Sequence, residues 1–172
     1  HDLEIRLREL GDTDQLTGLF NRRKLEHELT LDYESYVRYS VPTSILMLDL
    51  DNLKKINDGK GHHVGDEAIR AVANILRSTL RKTDCACRLG GDEFVVALPN
   101  TEHEQAIQFA KRIHDSSKKE LSQFSVDSSV VTVSIGVTVI VPEDRSYKDT
   151  IKRADLALYE AKNAGKDRIV SA

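Results

Sequence analysis

Apolar residues along this chain follow two alternating periodicities. Leu3, Leu7 and Leu10 recur at helical spacing among charged residues, which predicts an amphipathic or coiled-coil helix entering the domain. A turn-rich link over 14–23 follows. A second helix is then expected with Leu25, Leu29, Tyr33, Tyr36 and Val37 on one face, stopped by Pro42. Residues 44–50 form an apolar run that reads as a central strand and ends in Asp49 and Asp51. A loop rich in Gly, Asn, Asp and His is expected over 57–65. Asp66 or a neighbour then opens a helix carrying Ile69, Val72, Ile75, Leu76 and Leu80. Apolar runs at 85–89 and 94–98 flank Gly90-Gly91 and predict a hairpin, because glycine reaches positive φ without steric cost. A helix over 104–119 with Ile107, Ala110 and Ile113 inward comes next, then a strand in which Val131, Val133, Ile135, Val137 and Val139 alternate with smaller or polar residues. A last helix carries Ile151, Ala154, Leu158 and Ala161, and 168–170 is placed as a short edge strand. Interleaved helices and strands around an antiparallel hairpin predict an α/β fold with a mixed, largely antiparallel central sheet flanked by helices.

Composition narrows the class. With 172 residues, 40% hydrophobic and 31% charged, the chain is expected to be one soluble domain with a real core. Its net charge of −3, with no dominant basic face, gives no reason to expect nucleic-acid binding. No apolar run is long enough to span a bilayer, and no signal-peptide pattern is present, so a cytoplasmic domain is expected. Cys85 and Cys87 are placed on opposite faces of their strand and are read as free, buried thiols of a reducing compartment. The chain begins at His1 rather than methionine and is read as a piece of a longer protein.

The chemistry gathers around Arg88-Leu89-Gly90-Gly91-Asp92-Glu93-Phe94. A turn without side chains lets a ligand approach the backbone, and Asp92 and Glu93 set concentrated negative charge beside it. Carboxylates there suit a hard cation such as Mg²⁺, which in turn suits a nucleotide phosphate; the alternative is a surface hairpin with two solvated acids. Asp49, at the carboxyl end of the first strong strand, is either a solvated strand-end acid or a third member of the group. If the hairpin strand lies beside this one, Asp49, Asp92 and Glu93 converge, and three such acids repel unless a cation intervenes.

The chain resembles the GGDEF domain, the diguanylate cyclase family of bacterial signalling enzymes, from Asp14 to about Arg168. The resemblance rests on six motifs in order. They are the residues 14–23 (DQLTGLFNRR), 49–58 (DLDNLKKIND), 61–66 (GHHVGD), 90–94 (GGDEF), 134–137 (SIGV) and 154–162 (ADLALYEAK). It implies a nucleotidyl-cyclase-like fold with a ferredoxin-like palm core over 13–172, residues 1–12 being the end of a signalling helix. It also implies condensation of two GTP into cyclic di-GMP with release of two pyrophosphates, across a homodimer in which each 3′-hydroxyl attacks the other's α-phosphorus. The family pattern makes Asp49, the Leu50 carbonyl, Asp92 and Glu93 ligands of two Mg²⁺ or Mn²⁺ ions. Asp92 and Glu93 are the catalytic pair, with Asp92 as proton acceptor or chiefly metal ligand. Gly90 and Gly91 admit the nucleotide, Asn57 and Asp66 read guanine, and His62 contacts the nucleotide. Asp66 suits guanine because a carboxylate accepts both N1–H and N2–H₂; its alternative is a helix N-cap. Lys162 and Lys166, placed one helical turn apart, neutralise the outer phosphates or simply end a solvated helix.

Arg81-Lys82-Thr83-Asp84 stands five residues before Gly90, where the family has its inhibitory product site. Arg81 would pair with phosphate and stack on guanine, Asp84 would read the base edge, and Arg112 would be a secondary contact. Leu53, Lys60 and Lys166 depart from the family's usual residues, none removing a catalytic group. An upstream sensory or receiver domain is expected in the full-length protein, with membrane anchoring of that parent left open. The rival readings are a non-catalytic module binding GTP or cyclic di-GMP, and a cyclase using another nucleotide.

Overall fold

The computed structural model describes residues 1–172, apart from the side chains of residues 9 and 10. Leu10 of the predicted stripe lies outside the described side chains. Helix α1 (Asp2–Asp12) leads into α2 (Arg22–Tyr39), β1 (Thr43–Asp51), α3 (Leu53–Lys60) and α4 (His62–Thr79). Then come β2 (Cys85–Gly90), β3 (Glu93–Pro99), α5 (His103–Leu121), β4 (Thr132–Val139), α6 (Tyr147–Asn163) and β5 (Ile169–Ser171). The five strands form one sheet in the order β2-β3-β1-β4-β5, antiparallel except for the parallel pair β4 and β5. The expected mixed, largely antiparallel sheet flanked by helices is what the chain forms.

Alternation along β1 divides the core. Leu46, Leu48 and Leu50 join Phe94, Val96 and Ile135 under α4 and α5. Ile45 and Met47 join Val95, Leu25, Leu29, Ala154 and Leu158 under α2 and α6. Asp49 and Asp51 continue this second row, because alternate strand residues share a face. They therefore emerge beside α6. That helix lies close to the sheet because residue 136 is glycine; a Cβ there would collide with the Ala154 carbonyl and stand 2.5 Å from the Leu158 nitrogen.

Three expectations need correction. Cys85 and Cys87 share one face, packing with the α2–α6 layer, since residues two apart on a strand point the same way. They are free and buried as expected, and burial pushes both thiols up to about 12. The segment 57–65 is not a loop: α3 runs to Lys60 and α4 opens at His62, divided only by Gly61 at φ 91°. In α2 the predicted stripe is buried at Leu25 and Leu29, whereas Val37 is 64% exposed.

Candidate active site

Register places the acids. Asp49 and Glu93 are direct cross-strand partners between β1 and β3. The turn before Glu93 is tied to β1 as well, the Leu50 N–H donating to the Asp92 carbonyl at 3.2 Å. Gly90 and Gly91 have φ of 143° and 53°, and a Cβ built on either meets nothing within 4 Å. Glycine is required here by backbone conformation, and the space above the turn is open.

Like charges opposed on a strand pair repel. Burial, first of all, pushes the Asp49 carboxyl up to about 8, the neighbouring Asp92 and Glu93 add to this, and Lys162 opposes it. One oxygen of Asp49, Oδ1, is buried with no hydrogen-bond partner. Nearby, the Lys162 ammonium stands 3.6 Å from Asp49 Oδ2 and donates to the Leu50 carbonyl at 3.3 Å. An orphaned carboxylate oxygen, acidic neighbours and a backbone carbonyl already facing a cation make an all-oxygen donor set that fits a hard divalent ion. Among the described residues, no three His, Cys, Asp or Glu side chains enclose an ion by themselves.

Asp51, assigned no role from sequence, is the organising group beneath these acids. Its carboxylate is fully buried. It accepts from Thr132 Oγ1 at 2.6 Å, Ser134 Oγ at 2.8 Å, Lys162 Nζ at 2.6 Å and the Asp167 N–H at 3.1 Å. Burial alone would raise its pKa, but the bonds from Lys162 and Thr132 hold it below the usual carboxylate range. The available signal was its spacing from Asp49, which puts both on one face. Arg88 was missed too. Its guanidinium holds the Gly91 carbonyl at 2.9 Å and Asp14 at 3.2 Å, bracing the turn against the 14–23 link. No local pattern reveals a pair 74 residues apart.

The two lysines do not share a helix. Lys162 lies in the last turn of α6, which ends at Asn163; Gly165, Lys166 and Asp167 then take φ of 119°, 64° and 50°. The expected one-turn spacing fails because this left-handed run breaks the helix. Lys166 is exposed, with Nζ 3.3 Å from Asn52 Oδ1. Asn57 on α3 packs against Gly65 of α4, the residue before Asp66, where any Cβ would collide with the Asn57 side chain. Asp66 lies within α4, whose N-cap is Gly61, so it is not a cap. His62 and His63 are exposed on the first turn of α4, His63 pairing with Glu67 at 3.2 Å.

Arg81, Asp84 and Arg112 line one cavity of about 470 Å³, together with Thr79, Thr101 and Phe109. It sits at the far end of β2 from the Gly90-Gly91 turn, roughly 20 Å away at strand rise. Arg81 meets Asp84 at 3.0 Å and also reaches Thr101 and the Pro99 carbonyl, while the Arg112 guanidinium lies 5.7 Å from the Phe109 ring centre.

The sequence model of the family described as "Diguanylate cyclase, GGDEF domain" matches residues 11–168. The chain is 39% identical over 163 residues to the probable diguanylate cyclase DgcC of Escherichia coli K12, covering 95% of this chain and 44% of that protein. It is 40% identical over 164 residues to the response regulator PleD of Caulobacter vibrioides, covering 94% and 36%. The chain thus spans less than half the length of these curated relatives. Among solved structures, the diguanylate cyclase SiaD of Pseudomonas aeruginosa, in complex with its activator SiaC, superposes with a TM-score of 0.88 at 38% identity, covering 99% of this chain and 65% of that one. The coiled coil and GGDEF domain of Caulobacter crescentus DgcB, in complex with c-di-GMP, gives 0.89 at 28% identity, covering 99% and 91%.

Proposed function

The chain belongs to the GGDEF domain family of diguanylate cyclases, and from that premise we propose that it condenses two GTP into cyclic di-GMP across a homodimer. Each 3′-oxygen bonds to the other nucleotide's α-phosphorus as that phosphorus loses its bond to pyrophosphate. Two phosphodiester bonds form, and two protons leave the hydroxyls. Asp49, the Leu50 carbonyl, Asp92 and Glu93 would hold two Mg²⁺ or Mn²⁺ ions. Bound there, such ions lower the pKa of the attacking hydroxyl and neutralise charge on the phosphates.

The chain's own groups do the rest. Asp92 takes the proton from the 3′-hydroxyl, with Glu93 beside it. Asp66 and Asn57 select guanine from the paired ends of α3 and α4, and His62 contacts the nucleotide. The glycine turn lets the ribose approach the backbone. Lys162 and Lys166 face the outer phosphates. Arg81, Asp84 and Arg112 bind product and slow the enzyme as it accumulates. Residues 1–12 are the end of a helix that conveys a signal from an upstream sensory or receiver domain, and 13–172 form the cyclase domain. No helix among the described residues is long and apolar enough to cross a membrane.

The observation that carries this reading is the opposition of Asp49 and Glu93 across β1 and β3, with the Asp92 turn bonded to Leu50. The test incubates nucleotide-free protein with GTP and Mg²⁺ at rising protein concentration, followed by mass spectrometry. Cyclic di-GMP growing faster than linearly with protein is expected. Absence of product, even with the domains joined through a fused coiled coil, refutes the assignment. Asp66→Ser should shift use from GTP towards ATP; unchanged selectivity removes Asp66 as the guanine reader.

A further inference from the structure

Gly165, Lys166 and Asp167 form three consecutive left-handed residues, two of them with side chains. Such backbone is unfavourable for L-residues and persists only where the surroundings over-determine it. Here several bonds converge on the turn. The Lys166 N–H donates to the Ala161 carbonyl at 3.0 Å, and the Asp167 N–H donates to Asp51 at 3.1 Å. The Asp167 side chain points the other way, to α5. Its carboxylate meets His114 Nε2 at 2.7 Å and Lys118 Nζ at 3.2 Å, with the His114 side chain only 14% exposed. Asp167 therefore links the buried carboxylate under the active site to a helix on the opposite layer.

We propose that Asp167 is a positioning residue for the phosphate end of the substrate site, clamping the turn that presents Lys166 by means of His114 and Lys118. This rests on the reading of Lys166 as a phosphate contact. Lys166 is exposed, so the direction in which it projects is set by its backbone, and that backbone is fixed on its C-terminal side by residue 167. His114 also lies two positions beyond Arg112, so the helix that holds the turn also lines the cavity assigned to product.

The test compares binding of 3′-deoxy-GTP with binding of 3′-deoxy-GMP, both lacking the attacking hydroxyl; the affinity ratio isolates the outer phosphates. Asp167→Gly keeps the left-handed backbone and the N–H to Asp51 while removing the clamp. It should lower the ratio roughly fivefold, about the net contribution of one hydrogen bond. His114→Ala should do the same from the other side. Asp167→Asn, which tolerates the left-handed region and still accepts from His114, should keep most of the ratio. Because Asp167 acts through Lys166, adding Asp167→Gly to Lys166→Ala should lower the ratio no further. If Lys166→Ala leaves the ratio unchanged, the phosphate reading of Lys166 fails and the proposal with it. If Lys166→Ala lowers it and Asp167→Gly does not, or only the melting temperature falls, the clamp is overturned while the phosphate reading stands.

Discussion

Replacing Asp51 by asparagine should remove more stability than any other single-atom exchange in the site. The carboxylate is fully buried and serves Thr132, Ser134, Lys162 and the Asp167 N–H. An amide offers one accepting oxygen. With that oxygen at the Oδ1 position, the NH₂ faces the Asp167 N–H; turned round, it faces the Lys162 ammonium. The hydroxyls can rotate to accept, but neither of those two donors can. Breaking a buried ion pair from one side costs about 3–5 kcal/mol. Lys162 retains the Leu50 carbonyl at 3.3 Å and Asp49 at 3.6 Å, so the lower end, about 3 kcal/mol, applies. That is a fifth or more of the roughly 5–15 kcal/mol that holds a domain together. It corresponds to a fall of about 6–12 °C in melting temperature for a chain of this size. Urea denaturation should show the midpoint falling at unchanged slope. A cycle with Lys162→Met should give a coupling of about 2 kcal/mol. A loss below about 1 kcal/mol, at unchanged slope, would falsify the view of Asp51 as a dry anchor paired with Lys162.

Asp49 carries the main pH dependence. With its pKa raised from 3.8 to about 8, the metal-free native state keeps a proton that the unfolded chain has lost, so stability should fall as pH rises through that window. Mg²⁺ binding at pH 7 should accordingly release protons and tighten as pH approaches 8; calorimetry in two buffers of different ionisation heat that finds no proton release contradicts this. Arg81→Ala should abolish the slowing of the cyclase as product accumulates. Because the side chain of its partner Asp84 is buried and would keep only the residue-81 N–H, the change should also cost about 1–3 kcal/mol in a thermal melt; retained feedback in the progress curve removes the cavity from regulation. Gly136→Ala should cost at least about 2 kcal/mol in a thermal melt, because the obstructing atoms are α6 backbone; a melt like that of the parent chain would mean α6 can lift freely.

Periodicity made the strands, the hairpin and the flanking helices legible, since each buries one face and the pattern records which. The acids at Asp49, Asp92 and Glu93 were legible because they stand where apolar runs stop. Asp51 was not, because a charged residue at the end of a strand reads as solvent-facing until four donors are seen around it. Arg88 with Asp14, and Asp167 with His114, escaped for a different reason: their partners are remote in sequence and only the sheet order brings them together. The 57–65 segment misled because its Gly, Asn and Asp carry turn preferences, yet α3 and α4 bury Leu53, Ile56 and Gly65 and override them. The cysteine error was one of counting: a strand's faces alternate every residue.

Phe20 pairs in parallel with Cys87, its N–H donating to the Ala86 carbonyl and its carbonyl accepting from the Arg88 N–H. The link that follows α1 is thus an extra rung on the outer edge of β2, the strand that ends in the glycine turn. The two bonds straddle Cys87 at 3.1 and 3.0 Å, so the link cannot shift along β2 without straining both. The lever arm from that rung to the turn is three residues of strand, Arg88 to Gly90. The segment that enters the domain from α1 is therefore fixed directly to the strand that carries the Gly90-Gly91 turn.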